Sequence, residues 1–225
     1  MLDIQIKEMS KRFKDNILYE GVNLSVPRGQ TVGIVGANGA GKSVLFKLIA
    51  GLDYTDAGKI YVRGREVGRN LSFPKDLGLL VNQPGFIEFY DGFSNLKLLA
   101  EIQGKIDDEK IRHYMRLIGL NPDDKSRVKT YSSGMKQKLG IVQAIMEDQT
   151  IVILDEPFNT LDYQTNAETL RILLSLKKEG KTLLLTSHQH DILEKICDQI
   201  YVISNRKIVP FNEELRRSYF SIFSY

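Results

Sequence analysis

Residues 30–52 read Gln30-Thr-Val-Gly-Ile-Val-Gly36-Ala37-Asn38-Gly39-Ala40-Gly41-Lys42-Ser43-Val-Leu-Phe-Lys-Leu-Ile-Ala-Gly-Leu52. The apolar run Gln30–Val35 predicts a buried strand, and Leu45, Leu48, Ile49 and Leu52 recur at helical spacing. Between them Gly36–Ser43 fits the pattern G-x-x-x-x-G-K-[ST]. Glycines let successive backbone N–H groups turn inward around an anion, and the following helix adds the positive end of its dipole. Lys42 can reach the outer phosphates of a bound polyphosphate, and Ser43 can ligate a Mg²⁺ bridging them. A strand, a glycine loop and a helix in direct succession predict an α/β fold with a phosphate site at the sheet edge.

Outward from this stretch the chain alternates in character. Leu2, Ile4 and Ile6 alternate with polar residues, as do Val22, Leu24 and Val26 before a Pro27-Arg28-Gly29 turn. Further strands are predicted at Lys59–Val62, Leu77–Val81, Thr150–Leu154, Thr182–Thr186 and Gln199–Ser204. Helical stretches are predicted at about 163–178 and 191–197. From Gln83 to Ile118 the sequence turns helical, with Ile111, Tyr114, Met115 and Ile118 on one face, Asp107 as N-cap and Gly119 as terminator. The expected architecture is a mostly parallel sheet covered on both faces, an N-terminal antiparallel β region and an inserted helical segment.

Composition narrows the function classes. The 225 residues carry 31 Lys+Arg against 28 Asp+Glu, a formal charge of +3, scattered along the chain. That balance excludes an acidic disordered chain and gives no basic stripe for nucleic acid. The single cysteine, Cys197, cannot form an internal disulfide. No apolar run reaches the roughly 20 residues that span a bilayer, and the alternating start lacks the order of a signal peptide.

A second chemical motif is Ile151-Val-Ile-Leu154-Asp155-Glu156-Pro157. Its two carboxylates follow an apolar strand, which places them at the carboxyl edge of the sheet beside the glycine loop. Asp155 suits Mg²⁺, and Glu156 suits the polarisation of an attacking water. Ser132-Ser133-Gly134 precede an apolar helical face of Met135, Leu139, Val142 and Met146, so a helix N-terminus and a serine hydroxyl offer a second anion site there.

These motifs, in their order, resemble the ATP-binding cassette (ABC) ATPase family, from about Leu2 to about Val209. Tyr131-Ser132-Ser133-Gly134-Met135 sits where that family has its Leu-Ser-Gly-Gly-Gln signature, and Gln83 sits at its Gln loop. Leu161-Asp162 matches the end of the D-loop, His188 the switch histidine, and Phe13 the aromatic that stacks on adenine. Tyr131, Ser133 and Met135 depart from the signature, and Asn159 replaces the usual D-loop Ser.

The resemblance implies a P-loop NTPase core in one domain over residues 1–225, with a helical subdomain at about 83–147. It implies ATP and Mg²⁺ as ligands: Gly36, Ala37, Asn38, Gly39, Ala40, Gly41, Lys42, Ser43 and Phe13 on ATP, with Ser43, Gln83 and Asp155 on the metal. Glu156, His188 and Gln83 are the catalytic candidates. Ser132, Ser133 and Gly134 would hold the nucleotide of a second, head-to-tail subunit, either another copy or a paralogue, with Asp162 in communication across the dimer.

Two classes of function follow. The first is the ATP-hydrolysing subunit of a transporter, cytoplasmic and peripheral on the inner face of the membrane through an integral membrane subunit, exporting a drug or peptide. The alternative is a soluble cassette ATPase of DNA repair, chromosome maintenance or translation. The chain carries no long insert of the kind those relatives have, and none of the added domain of many importer ATPases. Phe86, Ile87, Phe89 and Tyr90 form either the core of the helical lobe or a docking patch for the membrane subunit. His113 and His190 match no motif and are read as surface residues. The tail Phe220–Tyr225 is apolar and either packs on the domain or meets a partner.

Overall fold

The computed structural model describes residues 1–14, 16–68, 73–82 and 85–212. Gln83 and the tail Phe220–Tyr225 therefore lie outside the described residues.

The chain opens with two long strands, β1 (Leu2–Phe13) and β2 (Asn16–Pro27), paired antiparallel. β1 runs further than the alternation at Leu2–Ile6 foretold, because a bulge at Glu8 (φ 47°) shifts the side-chain parity. The inward positions pass from Ile4 and Ile6 to Met9 and Lys11. Strands β3 (Thr31–Val35), β4 (Ala57–Val62), β5 (Arg65–Val67) and β6 (Leu77–Leu80) follow, with α1 (Lys42–Ile49) after β3. Then come α2 (Gly92–Gln103), α3 (Asp108–Leu117) and α4 (Ser133–Ile145). The chain returns through β7 (Ile151–Leu154), α5 (Tyr163–Lys178), β8 (Thr182–Thr186), α6 (His190–Ile196), β9 (Gln199–Ser204) and β10 (Lys207–Pro210).

Two sheets result. A four-stranded antiparallel sheet has the order β2-β1-β4-β5, and a six-stranded sheet has the order β10-β9-β3-β8-β7-β6. Within the larger sheet β9, β3, β8, β7 and β6 are parallel and β10 is antiparallel. β3, β7 and β8 are buried at every position, so period 2 survives only in which core each side chain enters. Val152, Leu154, Leu183 and Leu185 pack with α4 and α5, whereas Ile151, Ile153 and Leu184 pack with α1 and the antiparallel sheet.

The predicted strands and helices all appear, mostly within a residue or two at their ends; β2 begins at Asn16, six residues before the alternation at Val22–Val26, and α1 ends at Ile49 rather than Leu52. The strands β5 and β10 were not foreseen. Each closes a two-residue hairpin whose loop residues both have positive φ, Arg63-Gly64 and Asn205-Arg206. That geometry is usually announced by Asn-Gly or Asp-Gly, and neither pair is present there. The helical stretch from Gln83 to Ile118 resolves into α2 and α3. Asp107 accepts from Lys110 N at 2.9 Å, and Gly119, at φ 71°, ends α3 as predicted.

One close approach fixes the site's frame. A Cβ at Gly78 on β6 would lie 1.8 Å from the Ala144 carbonyl, so the α4 backbone rests directly on the sheet. Near the other end of α4, Gln137 Nε2 donates to Glu156 O at 3.0 Å, just past the carboxyl end of β7.

Candidate functional site

The glycine loop leaves β3 and enters α1 by way of glycines that no other residue could replace without strain. Gly39 has φ 78°, and a Cβ there would meet nothing within 4 Å, which leaves the loop open on its outer side. Gly41 has φ 105°, and a Cβ there would lie 2.9 Å from Leu18 and from the Tyr19 hydroxyl. Tyr19 is fully buried and donates its hydroxyl to Gly41 O at 2.9 Å, so β2 props the loop from beneath. Lys42 is 8% exposed, and its Nζ donates to Gly36 O at 2.9 Å, which places the ammonium inside the loop.

Opposite the loop, Asp155 and Glu156 follow β7. Asp155 N donates to Leu80 O at 2.7 Å, extending the β6 ladder by one residue. The Asp155 carboxylate accepts from Ser43 Oγ on one oxygen and from Thr186 Oγ1 at 2.6 Å on the other. Thr186 Oγ1 also accepts from Glu156 N at 2.8 Å, so one buried hydroxyl ties both acids to the end of β8.

Glu156 adopts φ 51°, a left-handed conformation that residues with a Cβ avoid. Its Oε2 accepts from His188 N at 3.2 Å. Its Oε1 is buried and forms no hydrogen bond, although His188 Nε2 stands 3.3 Å away. Burial pushes the Glu156 carboxyl above its ordinary pKa; His188 and Lys42 pull it back and Asp155 adds to the rise. A carboxylate raised in this way is suited to accept a proton.

The structure brings most of the predicted residues together. Phe13, Asn38–Ser43, Asp155, Glu156 and His188 line one cleft of about 510 Å³. Phe13 is 47% exposed at the end of β1, with one face covered by Lys11 Nζ at 4.9 Å from the ring centre. Ser132, Ser133 and Gly134 line no part of that cleft. Ser132 is the N-cap of α4 and accepts from Met135 N at 3.2 Å. Tyr131, in place of the expected Leu, is buried against Gly92, where a Cβ would lie 2.8 Å from its hydroxyl. Glycine at 92 thus accommodates the larger ring.

Asp162 caps α5, accepting from Thr165 N at 2.8 Å and from Thr165 Oγ1 at 3.0 Å. Those bonds hold its carboxyl below the usual range. Ile87, Phe89 and Tyr90 are exposed while Phe86 packs on the core, so the aromatic cluster is divided between the two readings. His113 is exposed as expected, but His190 is half-buried and stacks on Phe211 at 6.3 Å, because the chain after β10 folds back over α6.

Sequence reasoning missed Thr186 and Gln137. Thr186 is a lone polar end to an apolar strand, the same signal that marked Asp155. Gln137 lies one turn beyond Ser133, and its Nε2 donates to Glu156 O at 3.0 Å.

Residues 19–159 match the family of ABC transporters. The chain belongs to that family. It is 34% identical over 195 residues to the uncharacterized ABC transporter ATP-binding protein YybJ of Bacillus subtilis, covering 87% of this chain and 89% of that protein. It is 32% identical over 206 residues to the lantibiotic transport ATP-binding protein SrtF of Streptococcus pyogenes, covering 92% and 89%. The methionine import ATP-binding protein MetN of Clostridium tetani is 31% identical over 219 residues, covering 93% and 69%. The fold superimposes on the ATP-binding cassette MJ0796, solved as a dimer in a post-hydrolysis state with ADP and Pi, with a TM-score of 0.81 at 21% identity over 91% of this chain and 96% of that one. The protein is thus the ATP-binding subunit of an ABC transporter and an ATPase, which decides between the two function classes that the sequence left open. Among the described residues of this ABC ATPase, no helix is long and apolar enough to cross a membrane.

Proposed function

We propose that this ABC ATPase hydrolyses Mg-ATP between two head-to-tail subunits and drives export of a drug or peptide through a separate membrane subunit. The observation that carries the catalytic part is Glu156 Oε1, a buried carboxylate oxygen without a hydrogen bond, in the cleft of the glycine loop. In that cleft Gly36–Ser43 wrap the phosphates, and Lys42 exchanges the Gly36 carbonyl for them. Phe13 stacks on adenine, His188 contacts the γ-phosphate, and Glu156 takes a proton from the attacking water.

Ser43 Oγ and Asp155 Oδ2 already converge, and a hard oxygen pair of this kind fits Mg²⁺. Gln83 joins that set on the resemblance. The bound ion would neutralise charge on the outer phosphates. Glu156 is tied to Asp155 through Thr186, whose hydroxyl accepts from Glu156 N and donates to the Asp155 carboxylate.

Ser132, Ser133 and Gly134 do not line the cleft of the glycine loop, and Ser133 opens instead on an adjoining cavity with Asp155 and Glu156, which supports their use on the nucleotide of a second subunit, with Asp162 relaying between sites. The helical segment at about 83–147 then acts as a subdomain, and exposed Ile87, Phe89 and Tyr90 offer an apolar face to the membrane subunit. That partner would place the protein on the cytoplasmic face of the membrane. Export rests on the relatives named for lantibiotic and bacitracin transport.

Two measurements test this. Light scattering should find Glu156→Gln dimeric with ATP and the wild type monomeric without nucleotide; a dimer formed without nucleotide would show that other surfaces hold the pair, and a monomer in both would point to a paralogous partner or a need for the membrane subunit. Inside-out vesicles carrying the membrane subunit should accumulate a labelled peptide antibiotic on addition of ATP. Export of the subunit's cargo is the outward direction in cells, so depletion from the vesicles would establish import instead.

A further inference from the structure

We propose that Gln137 is a positioning residue for hydrolysis: it clamps the main chain of Glu156 in its left-handed conformation and ties that conformation to the signature helix α4. This rests on the reading of Glu156 as the group that polarises water.

Glu156 is the one acid at the cleft whose backbone lies where a Cβ is disfavoured, at φ 51°. Such a conformation persists only where its surroundings over-determine it. Its N–H donates to Thr186 Oγ1 at 2.8 Å, and its carbonyl accepts from Asn159 N at 3.1 Å. Both partners belong to the same edge of the sheet. The remaining bond is different, for Gln137 Nε2 reaches the Glu156 carbonyl from another element, at 3.0 Å. With the carbonyl held from two sides, the peptide after Glu156 cannot rotate to a relaxed conformation, and the direction of the Cα–Cβ bond is fixed.

Gln137 lies one helical turn after Ser133, so its side chain leaves α4 on the same face as the signature residues. Gly134 is equally close to this segment, since a Cβ there would lie 3.2 Å from Thr160 O. The helix whose first turn would grip one nucleotide therefore bears, through one amide, on the acid that would polarise the water attacking the other. Movement of α4 when its first turn meets a phosphate is transmitted to Glu156 without an intervening element.

The effect should fall on turnover and spare binding, because Gln137 is bonded to the main chain of Glu156 and does not line the cleft of the glycine loop. Gln137→Leu, which keeps the bulk and removes the donor, should lower kcat by roughly 10–100-fold, the usual scale of an ångström-sized misplacement. KM for ATP and the equilibrium affinity for ATP should change by less than about threefold. The deciding measurement is made under single-turnover conditions with excess protein over labelled ATP, in the wild type, Gln137→Leu, Glu156→Gln and the double variant.

If Gln137 works through Glu156, the double variant should be no slower than Glu156→Gln alone. Equal losses in both backgrounds, or a loss in affinity matching the loss in kcat, would assign Gln137 to general support of the fold and overturn the proposal. An unchanged kcat in Gln137→Leu would overturn it as well. If Glu156→Gln itself turned over at the wild-type rate, the underlying reading of Glu156 would fail first, and that outcome is separate from the others. Gln137→Glu serves as a second variant should Gln137→Leu not fold: it keeps the shape, and its carboxylate cannot donate to a carbonyl, so the same kcat loss is expected.

Discussion

Two turns of this molecule present backbone N–H groups at a helix start, one at Gly36–Ser43 before α1 and one at Tyr131–Met135 before α4. The first is finished within the chain. Gly41 is wedged against Leu18 and Tyr19, Lys42 is buried in the loop, and Ser43 is bonded to Asp155. The second holds a single capping bond, Ser132 to Met135 N, with Ser132 and Ser133 exposed. A cation, a carboxylate and a second wall surround the first; the second offers the dipole of its own helix, worth about 0.3–1 kcal/mol to a nearby anion. The first turn is thus built as a site within one chain, whereas the second, on the function proposed above, needs another surface to complete it.

The comparison breaks most cleanly at Lys42. Lys42→Ala removes the buried ammonium from the finished turn, and ATP binding should become undetectable by equilibrium titration. Glu156→Gln should leave that binding intact and slow hydrolysis by roughly 10²–10⁴-fold, as expected for a lost general base. Parallel loss of binding and turnover in Glu156→Gln would show that Glu156 holds the nucleotide.

At the turn before α4, Ser132→Arg adds bulk where the proposed function places a phosphate, and should abolish hydrolysis while each chain still binds ATP. Mixing Ser132→Arg chains with Lys42→Ala chains gives dimers with one doubly damaged site and one intact site. ATP-driven dimerisation should then return in the mixture and be absent from either variant alone. Wild-type turnover by Ser132→Arg would reduce the turn before α4 to a helix cap.

The two turns also differed in how far they could be read from sequence. Gly36–Ser43 was legible because every demand on it is local: positive φ requires glycine, and the strand and helix flank it directly. Asp155 and Glu156 were legible for the same reason, as polar ends to an apolar strand. Thr186 carried the same polar-end signal but belongs to no motif, and Gln137 had none, because its role comes from a contact 19 residues away in the chain. The fold followed suit: the buried strands announced themselves by composition, while β5 and β10 hid behind hairpin loops with unusual residues. The extension of β1 was hidden by the parity change at Glu8. Tyr131 looked like a weakened signature in sequence; against Gly92 it is a packed core residue.

The smallest expected effect concerns stability, and its sign should differ between the turns. Ser132 caps α4, so Ser132→Ala should destabilise the protein by about 1 kcal/mol, roughly 2–4 °C in Tm for a chain of this size. Glu156 is held in the folded state with a pKa above its unfolded value, chiefly by burial. Below the unfolded pKa both states carry the proton and the group contributes nothing. As pH rises through the folded pKa, the unfolded state has already released its proton and the folded state must ionise a buried oxygen, so stability is lost. Above the folded pKa that loss is complete, and Glu156→Gln, which carries no charge and keeps an acceptor for His188 N, should raise Tm there. The gain should shrink as pH falls and vanish below the ordinary Glu range of about 4.3. Calorimetry of the nucleotide-free protein at several pH values checks this. The same ionisation should give wild-type kcat an acid limb above the ordinary Glu pKa, since Glu156 must be ionised to take a proton. A Tm for Glu156→Gln below wild type at every pH would mean that the acid stabilises its own turn, and the finished site would then carry no cost for its function.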